Sequence, residues 1–242
     1  MTYCLAIKVR EGLVGLADGR ITSGTQVSAA RKLTLHGPPA ARFFIMTSGL
    51  RSVRDKTVAY LERDRREGKG DYPSMLDAVT AYATHLRRVR DEDKESLERS
   101  NLAFNLHTLI GGQLATDPQP TVFLVYPEGN WIEVDERTPY LSIGITTYGK
   151  PILDRALHFD TSLRNALKLA YVSFDSTRLS SSDVGFPIDV ISYSLGDRQW
   201  RERQYEYDDL REQSQWWNRH LTELATALPD GTWVDGMLPP GS

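Results

Sequence analysis

The sequence predicts an α+β fold, with helices packed outside antiparallel sheets, and three observations carry that prediction. Short β-prone runs joined by tight turns open the chain. Two long amphipathic helical stretches come next. A strand-rich half then follows, interrupted by one more helical stretch before the closing strands. Strands and helices grouped in blocks, instead of alternating one for one, are the pattern of that class. Hydrophobic residues make up 40% of the 242 and charged residues 25%, the balance of an ordinary globular chain. Nothing in the middle reads as a linker. The composition changes after Glu206, so the reading places one domain over residues 1–206, with 207–242 as a C-terminal helix and tail of that same domain.

In chain order, Tyr3-Cys4-Leu5-Ala6-Ile7-Lys8-Val9 is a β-prone run that stops at the turn Arg10-Glu11-Gly12. Leu13-Val14-Gly15-Leu16-Ala17 returns and ends at Asp18-Gly19-Arg20, which predicts an antiparallel hairpin. A short strand is expected around Lys32-Leu33-Thr34-Leu35, and a turn at His36-Gly37-Pro38-Pro39. The next strand, Ala41-Arg42-Phe43-Phe44-Ile45-Met46, ends in Thr47-Ser48-Gly49 where a helix begins. Leu50, Val53, Val58 and Leu61 recur at helical spacing. After Lys69-Gly70-Asp71-Tyr72-Pro73, Ser74 is the expected N-cap of a second helix with Met75, Val79, Tyr82, Leu86 and Val89 on one stripe. Residues 87–99 mix both charges closely and read as a solvated helix face.

Residues 103–110 alternate with period two up to Gly111-Gly112, and His107 on that strand reads as a structural histidine. Residues 121–126 and 131–134 flank Pro127-Glu128-Gly129-Asn130 as a hairpin. Tyr140-Leu141-Ser142-Ile143-Gly144 leads into Gly149-Lys150-Pro151. Leu163, Leu167, Ala170 and Phe174 mark a helix, with Asp160 or Thr161 as cap. Ile188, Val190 and Ser192, then 199–205, read as closing strands. Residues 208–228 carry Trp216, Trp217, Leu221 and Leu224 in a polar helical pattern. Those tryptophans either dock on the domain or fill a subunit interface. The tail to Pro239-Pro240-Gly241-Ser242 is turn-rich.

Several function classes are excluded at this stage. A formal net charge of −3 gives no electrostatic case for nucleic acid or an anionic membrane. No apolar run approaches the ~18 residues of a membrane helix, and the first residues form no signal peptide. One cysteine rules out an internal disulfide framework and fits a cytoplasmic protein. Cys4 is expected to be a buried, inert thiol. Cys and His are too sparse for metal spacing, so no metal and no cofactor is expected. Nothing matches Gly-x-x-x-x-Gly-Lys-Ser/Thr, so any ATPase would be a separate partner.

The chemistry concentrates at the start. Thr2 follows Met1 directly, and removing Met1 would leave one residue carrying both a hydroxyl nucleophile and an α-amine base. That amine titrates near ~7.7–8.0 in model peptides, close enough to neutrality for a useful free-base fraction. The predicted hairpin returns Asp18 to the side of Thr2, and the strand after it adds Lys32 to the same corner. An ammonium beside the amine and hydroxyl lowers their pKa values, and a carboxylate holds the lysine charged and oriented. At the end of the following strand, the N–H of Ser48 or of Gly49 is a candidate oxyanion donor.

Thr2, Asp18, Arg20 and Lys32 resemble the nucleophile, aspartate, arginine and lysine of proteasome-type β subunits, within the N-terminal-nucleophile hydrolases. Met1-Thr2-Tyr3-Cys4-Leu5, Ser142-Ile143-Gly144, residues 148–155 and Pro187-Ile188-Asp189-Val190 are most similar to the bacterial Anbu, or ancestral β-subunit, branch. The resemblance extends to about Glu206. It implies a four-layer sandwich, two antiparallel sheets between helical layers, and self-assembly into a ring or spiral homo-oligomer. It also implies a threonine peptidase hydrolysing peptide substrates, with Thr2, Asp18 and Lys32 catalytic. Arg20, Ser142 and Asp175 (with one of Ser180, Ser181 or Ser182) would be supporting groups, and a glycine-type amide at Ser48 or Gly49 the oxyanion hole. The alternatives are an amidase or amide-transferring enzyme acting on small peptides, and a catalytically silent scaffold.

Overall fold

The computed structural model describes residues 2–23 and 26–237. Met1, whose removal the sequence reading expects, lies outside the described residues, as does Pro239-Pro240-Gly241-Ser242 of the tail. The described residues fall into two compact units, one ending at Glu206 and the other starting at Tyr207.

The opening hairpin forms as its sequence pattern requires. β1 (Tyr3–Val9) and β2 (Gly12–Asp18) pair antiparallel from Cys4↔Ala17 to Val9↔Gly12. Gly12 sits at φ +149, and a Cβ there would meet the Tyr193 carbonyl oxygen at 1.9 Å, so the turn needs glycine. Then comes a two-stranded ribbon, β3 (Arg20–Ser23) with β4 (Gln26–Ala29), which the sequence reading passed over. β5 (Leu33–His36) and β6 (Phe43–Gly49) follow, with β6 ending in Thr47-Ser48-Gly49 as expected.

Two helices come next, α1 (Arg51–Arg66) and α2 (Met75–Arg99). Ser74 caps α2 as expected, in a capping box with Asp77. β7 (Leu106–Gly112), β8 (Thr121–Val125), β9 (Trp131–Glu133) and β10 (Tyr140–Gly144) make up the strand-rich half, β7 starting three residues later than its alternation suggests. α3 (Lys150–Ala156) is a helix the sequence reading passed over, and Pro151 fits its first turn because an N–H there has no intrahelical partner. α4 (Leu163–Ser180) is capped by Ser162, not by Asp160 or Thr161. Asp160 is drawn off by Arg10, and Thr161 accepts from the His158 N–H. β11 (Ile188–Ser194) and β12 (Gln199–Tyr205) close the first unit. α5 (Tyr207–Thr226) and α6 (Thr232–Asp235) form the second, in which the Trp216 ring stacks on His220 at 3.9 Å.

The strands form two five-stranded antiparallel sheets, ordered β10-β1-β2-β11-β12 and β5-β6-β7-β8-β9. β1 and β2 are apolar almost throughout because both of their faces are covered. Cys4, Ala6, Leu13 and Ala17 share a buried cluster with Phe44, Met46, Leu109 and Val122 of the other sheet. The alternate residue Tyr3 meets Phe174 of α4, and its hydroxyl is 2.6 Å from Ser173 Oγ. On the second sheet, Phe43, Ile45, Ile110 and Phe123 pack with Val53 and Leu61 of α1 and with Val79, Tyr82 and Leu86 of α2. Fully burying side chains of this kind contributes about 1.5–3 kcal/mol each, so the start of β1 is held from both faces.

Candidate active site

Three segments far apart in sequence meet at the head of β1. The Tyr3 N–H donates to Asp18 Oδ1 at 2.8 Å, across the open end of the hairpin. Lys32, in the link between β4 and β5, donates from Nζ to the same Asp18 oxygen at 2.8 Å and to the Arg20 carbonyl at 2.6 Å. Its own carbonyl accepts from the Thr47 N–H, tying the link to β6. Asp18 is 0% exposed and Lys32 9%. Burial pushes the Asp18 carboxyl above the usual carboxylate range. The Lys32 charge and hydrogen bond, then the Tyr3 N–H, pull it back.

Thr2 is buried at this corner. Its carbonyl accepts from the Ile145 N–H at 2.7 Å, just past β10. Gly144 makes that contact feasible: it lies at φ +89, and a Cβ there would sit 1.9 Å from the Thr2 carbonyl oxygen. The main chain around Thr2 is thereby clamped from β2 on one side and β10 on the other. Cys4 is fully buried, its thiol directed at the Thr47 carbonyl at 3.9 Å, and burial pushes the thiol up.

The other residues singled out in sequence divide into four groups. Ser48 of β6 and Ser142 of β10 line the same cavity as Thr2, about 430 Å³ in volume. Arg20 offers Lys32 its main-chain carbonyl, while its guanidinium donates to the Ser182 carbonyl at 2.7 Å. Asp175, buried in α4, is ion-paired with Arg178 one turn on, at 2.6 Å. Gly49 ends β6 at φ +136, where a Cβ would meet the Asn105 carbonyl oxygen at 2.2 Å.

His107 was missed as a site residue. It lines the Thr2 cavity, opposite Ser48 in the β6–β7 register, with its ring edge-on to Tyr126. Period-two alternation holds the signal, since Leu106 and Ile110 belong to the helix-covered core while Leu109, in phase with His107, belongs to the core between the sheets.

A second cavity, of about 320 Å³, opens on the other side of Lys32. Ile45, Val58 and Ala59 supply its apolar walls, and Arg54 and Asp55 of α1 line it as an ion pair at 2.7 Å. His36 also lines it, between Thr34 Oγ1 at 2.7 Å and Glu62 Oε1 at 2.9 Å. Burial holds the His36 pKa below its ordinary value, against the pull of Glu62. The neutral ring therefore donates from Nδ1 to the carboxylate and accepts at Nε2 from Thr34. Among the described residues, no group of three or more His, Cys, Asp or Glu side chains is placed to hold a metal ion. No helix among them is long and apolar enough to cross a membrane.

Two packed antiparallel sheets, with a threonine heading the first strand and a buried Lys–Asp pair beside it, define the class of proteasome-type β subunits. No protein-family model matches the sequence, and no curated protein matches it. Solved structures do. An Anbu (Gly-1) mutant from Hyphomicrobium sp. strain MC1 is 31% identical with a TM-score of 0.87, covering 96% of this chain and 99% of that one. Anbu from Yersinia bercovieri is 31% identical with a TM-score of 0.84, over 95% and 99%. The Pseudomonas aeruginosa Anbu complex, solved as a helical assembly, is 32% identical with a TM-score of 0.88, over 95% and 98%. The chain belongs to the Anbu, or ancestral β-subunit, branch of that class.

Proposed function

We propose that this chain is a threonine-type peptidase in which Thr2, exposed by removal of Met1, is the nucleophile. The observation that carries the reading is the buried Lys32–Asp18 pair, locked by the Tyr3 N–H to the residue beside Thr2. A lone surface pair would be worth only ~0–1 kcal/mol. Burying one at a strand end, where desolvation opposes ionisation, is costly and makes sense as electrostatic tuning of an adjacent amine and hydroxyl. In this mechanism the Thr2 α-amine accepts the hydroxyl proton as Oγ bonds to the substrate carbonyl carbon. The proton then passes to the leaving amine as the C–N bond breaks, and water releases the resulting ester.

Backbone alternation supports Gly49 over Ser48 as the oxyanion donor. The Thr47 N–H points to the β5 side, onto Lys32, and the Leu50 N–H to the β7 side, onto Asn105. Successive N–H groups point to opposite sides, so the Ser48 N–H belongs to the β7 ladder. The Gly49 N–H then points to the β5 side, beyond the first pair, Leu33↔Met46. Arg20 acts in this reading through its carbonyl, Ser142 through the wall of the Thr2 cavity, and Asp175 through the packing of α4.

We read the two sheets with α1 and α2 on one outer face and α4 on the other as the four-layer N-terminal-nucleophile sandwich. We infer assembly with further copies of the same chain, as in the helical Pseudomonas aeruginosa complex, and a cytoplasmic setting. A panel of fluorogenic peptides tested beside small amides checks the activity. Cleavage of peptides that disappears in Thr2→Ala is expected. Turnover of small amides alone would overturn the peptidase reading.

A further inference from the structure

The cavity beside Thr2 is unusual in what lines it. Its polar lining is Thr2, Ser48, Asn105, His107, Ser142 and Thr146, and its apolar lining is Leu124 and Ile143. No Lys, Arg, Asp or Glu contributes, so His107 is its one titratable side chain. The imidazole is half-buried, and among the described residues neither ring nitrogen has a hydrogen-bond partner in the chain. Its ring approaches Tyr126 edge-on, 6.0 Å between centroids. Asn105, exposed at the mouth, likewise lends only its backbone carbonyl to the fold, accepting from Leu50.

We propose that this cavity is a substrate side-chain pocket in which His107 selects a residue ending in a carbonyl oxygen, a carboxamide or a carboxylate, beside the bond to be cleaved. The proposal rests on the peptidase reading and names a substrate class for it. The imidazole brings an N–H donor, the Asn105 amide two, and each hydroxyl one. An apolar side chain entering the cavity would strip water from these donors without replacing it, which weakens binding. A lysine or arginine side chain would bring more donors and find no carboxylate to pair with. A side-chain carbonyl oxygen, accepting from His107 and Asn105, satisfies the lining. The 430 Å³ volume admits a glutamine or glutamate side chain with room for water. The selection is then of the kind in which hydrogen-bonding sites reject analogues that leave their polar groups unpaired.

The test uses the full chain carrying Thr2→Ala, so that peptides stay intact, and dye-labelled hexapeptides followed by fluorescence anisotropy. Gln, Glu, Leu or Lys is placed in turn at each position. At one position the Gln and Glu peptides are expected to bind roughly tenfold more tightly than the Leu and Lys peptides. His107→Leu should erase that preference, whereas His107→Gln, which keeps a donor at the same place, should retain it. Equal affinity for all four peptides at every position, or a preference that survives His107→Leu, overturns the proposal. Cleavage of the same peptides by the chain with Thr2 intact separates the two ideas. A His107-dependent preference without cleavage contradicts the peptidase reading and leaves the pocket standing, whereas cleavage without the preference contradicts the pocket alone.

Discussion

The two cavities that flank the Asp18–Lys32 corner are built by different kinds of structure, and their chemistry follows from that. The one beside Thr2 lies where β6, β7 and β10 run out, so its wall includes strand-end residues such as Ser48, His107 and Gly144. Strand ends leave backbone and side-chain polar groups without ladder partners, and polar residues collect there. The cavity beyond Lys32 lies between the second sheet and α1, whose positions Arg54/Val58 and Asp55/Ala59 are four residues apart and lie on one side of the helix. A helix laid on a sheet presents an apolar stripe with charges at its margin, which is the composition found. One cavity thereby carries hydroxyls, an amide and an imidazole with no Lys, Arg, Asp or Glu, and the other carries Lys32 and the Arg54–Asp55 ion pair around its apolar walls. No residue lines both cavities, so each can be altered without touching the other.

The comparison breaks most drastically at Lys32, which lines the second cavity and bonds Asp18 beside Thr2. Lys32→Met leaves Asp18 buried without its cation, and peptide turnover should fall by ~10³-fold or more. The measurement is kcat/KM on a good fluorogenic peptide, with circular dichroism showing the fold retained. Gly49→Ala forces a Cβ against the Asn105 carbonyl oxygen and disturbs the amide proposed as the oxyanion donor. A ~10²–10³-fold loss in kcat with a smaller change in KM is expected, read by initial-rate kinetics.

Ala59→Leu sharpens the contrast by filling only the apolar cavity. KM for peptides with a large apolar residue should rise about tenfold, while peptides with a small residue there and the Gln/Glu preference at His107 stay unchanged. The smallest effect falls on stability. Because the folded His36 lies below its ordinary pKa of ~6.5, its neutral form contributes stability that is present above that value and lost as pH falls. His36→Asn should therefore flatten the fall in denaturation midpoint between pH 7 and pH 5 relative to the unaltered chain.

Local pattern and tight turns made the corner legible in sequence. The span from Thr2 to Asp18, folded at Arg10-Glu11-Gly12, leaves little freedom in register, and Lys32 comes just ahead of the β-prone run that becomes β5. The capping box at Ser74 was legible because its partner, Asp77, lies three residues on. Features set by distant partners were not. Asp160 caps no helix because Arg10, 150 residues away, takes its carboxylate. His107 reads as a core histidine until it is known which strand ends it abuts. The β3–β4 ribbon has little apolar alternation to announce it, being short and outside both sheets.

The most direct test of the central claim, that Thr2 is an N-terminal nucleophile tuned by Lys32, is the intact mass of purified protein with and without a threonine-directed β-lactone. The account predicts loss of Met1 and one adduct per chain, absent in Thr2→Ala and slowed in Lys32→Met. Full-length mass with Met1 retained and no adduct, or an adduct that persists in Thr2→Ala, would contradict it.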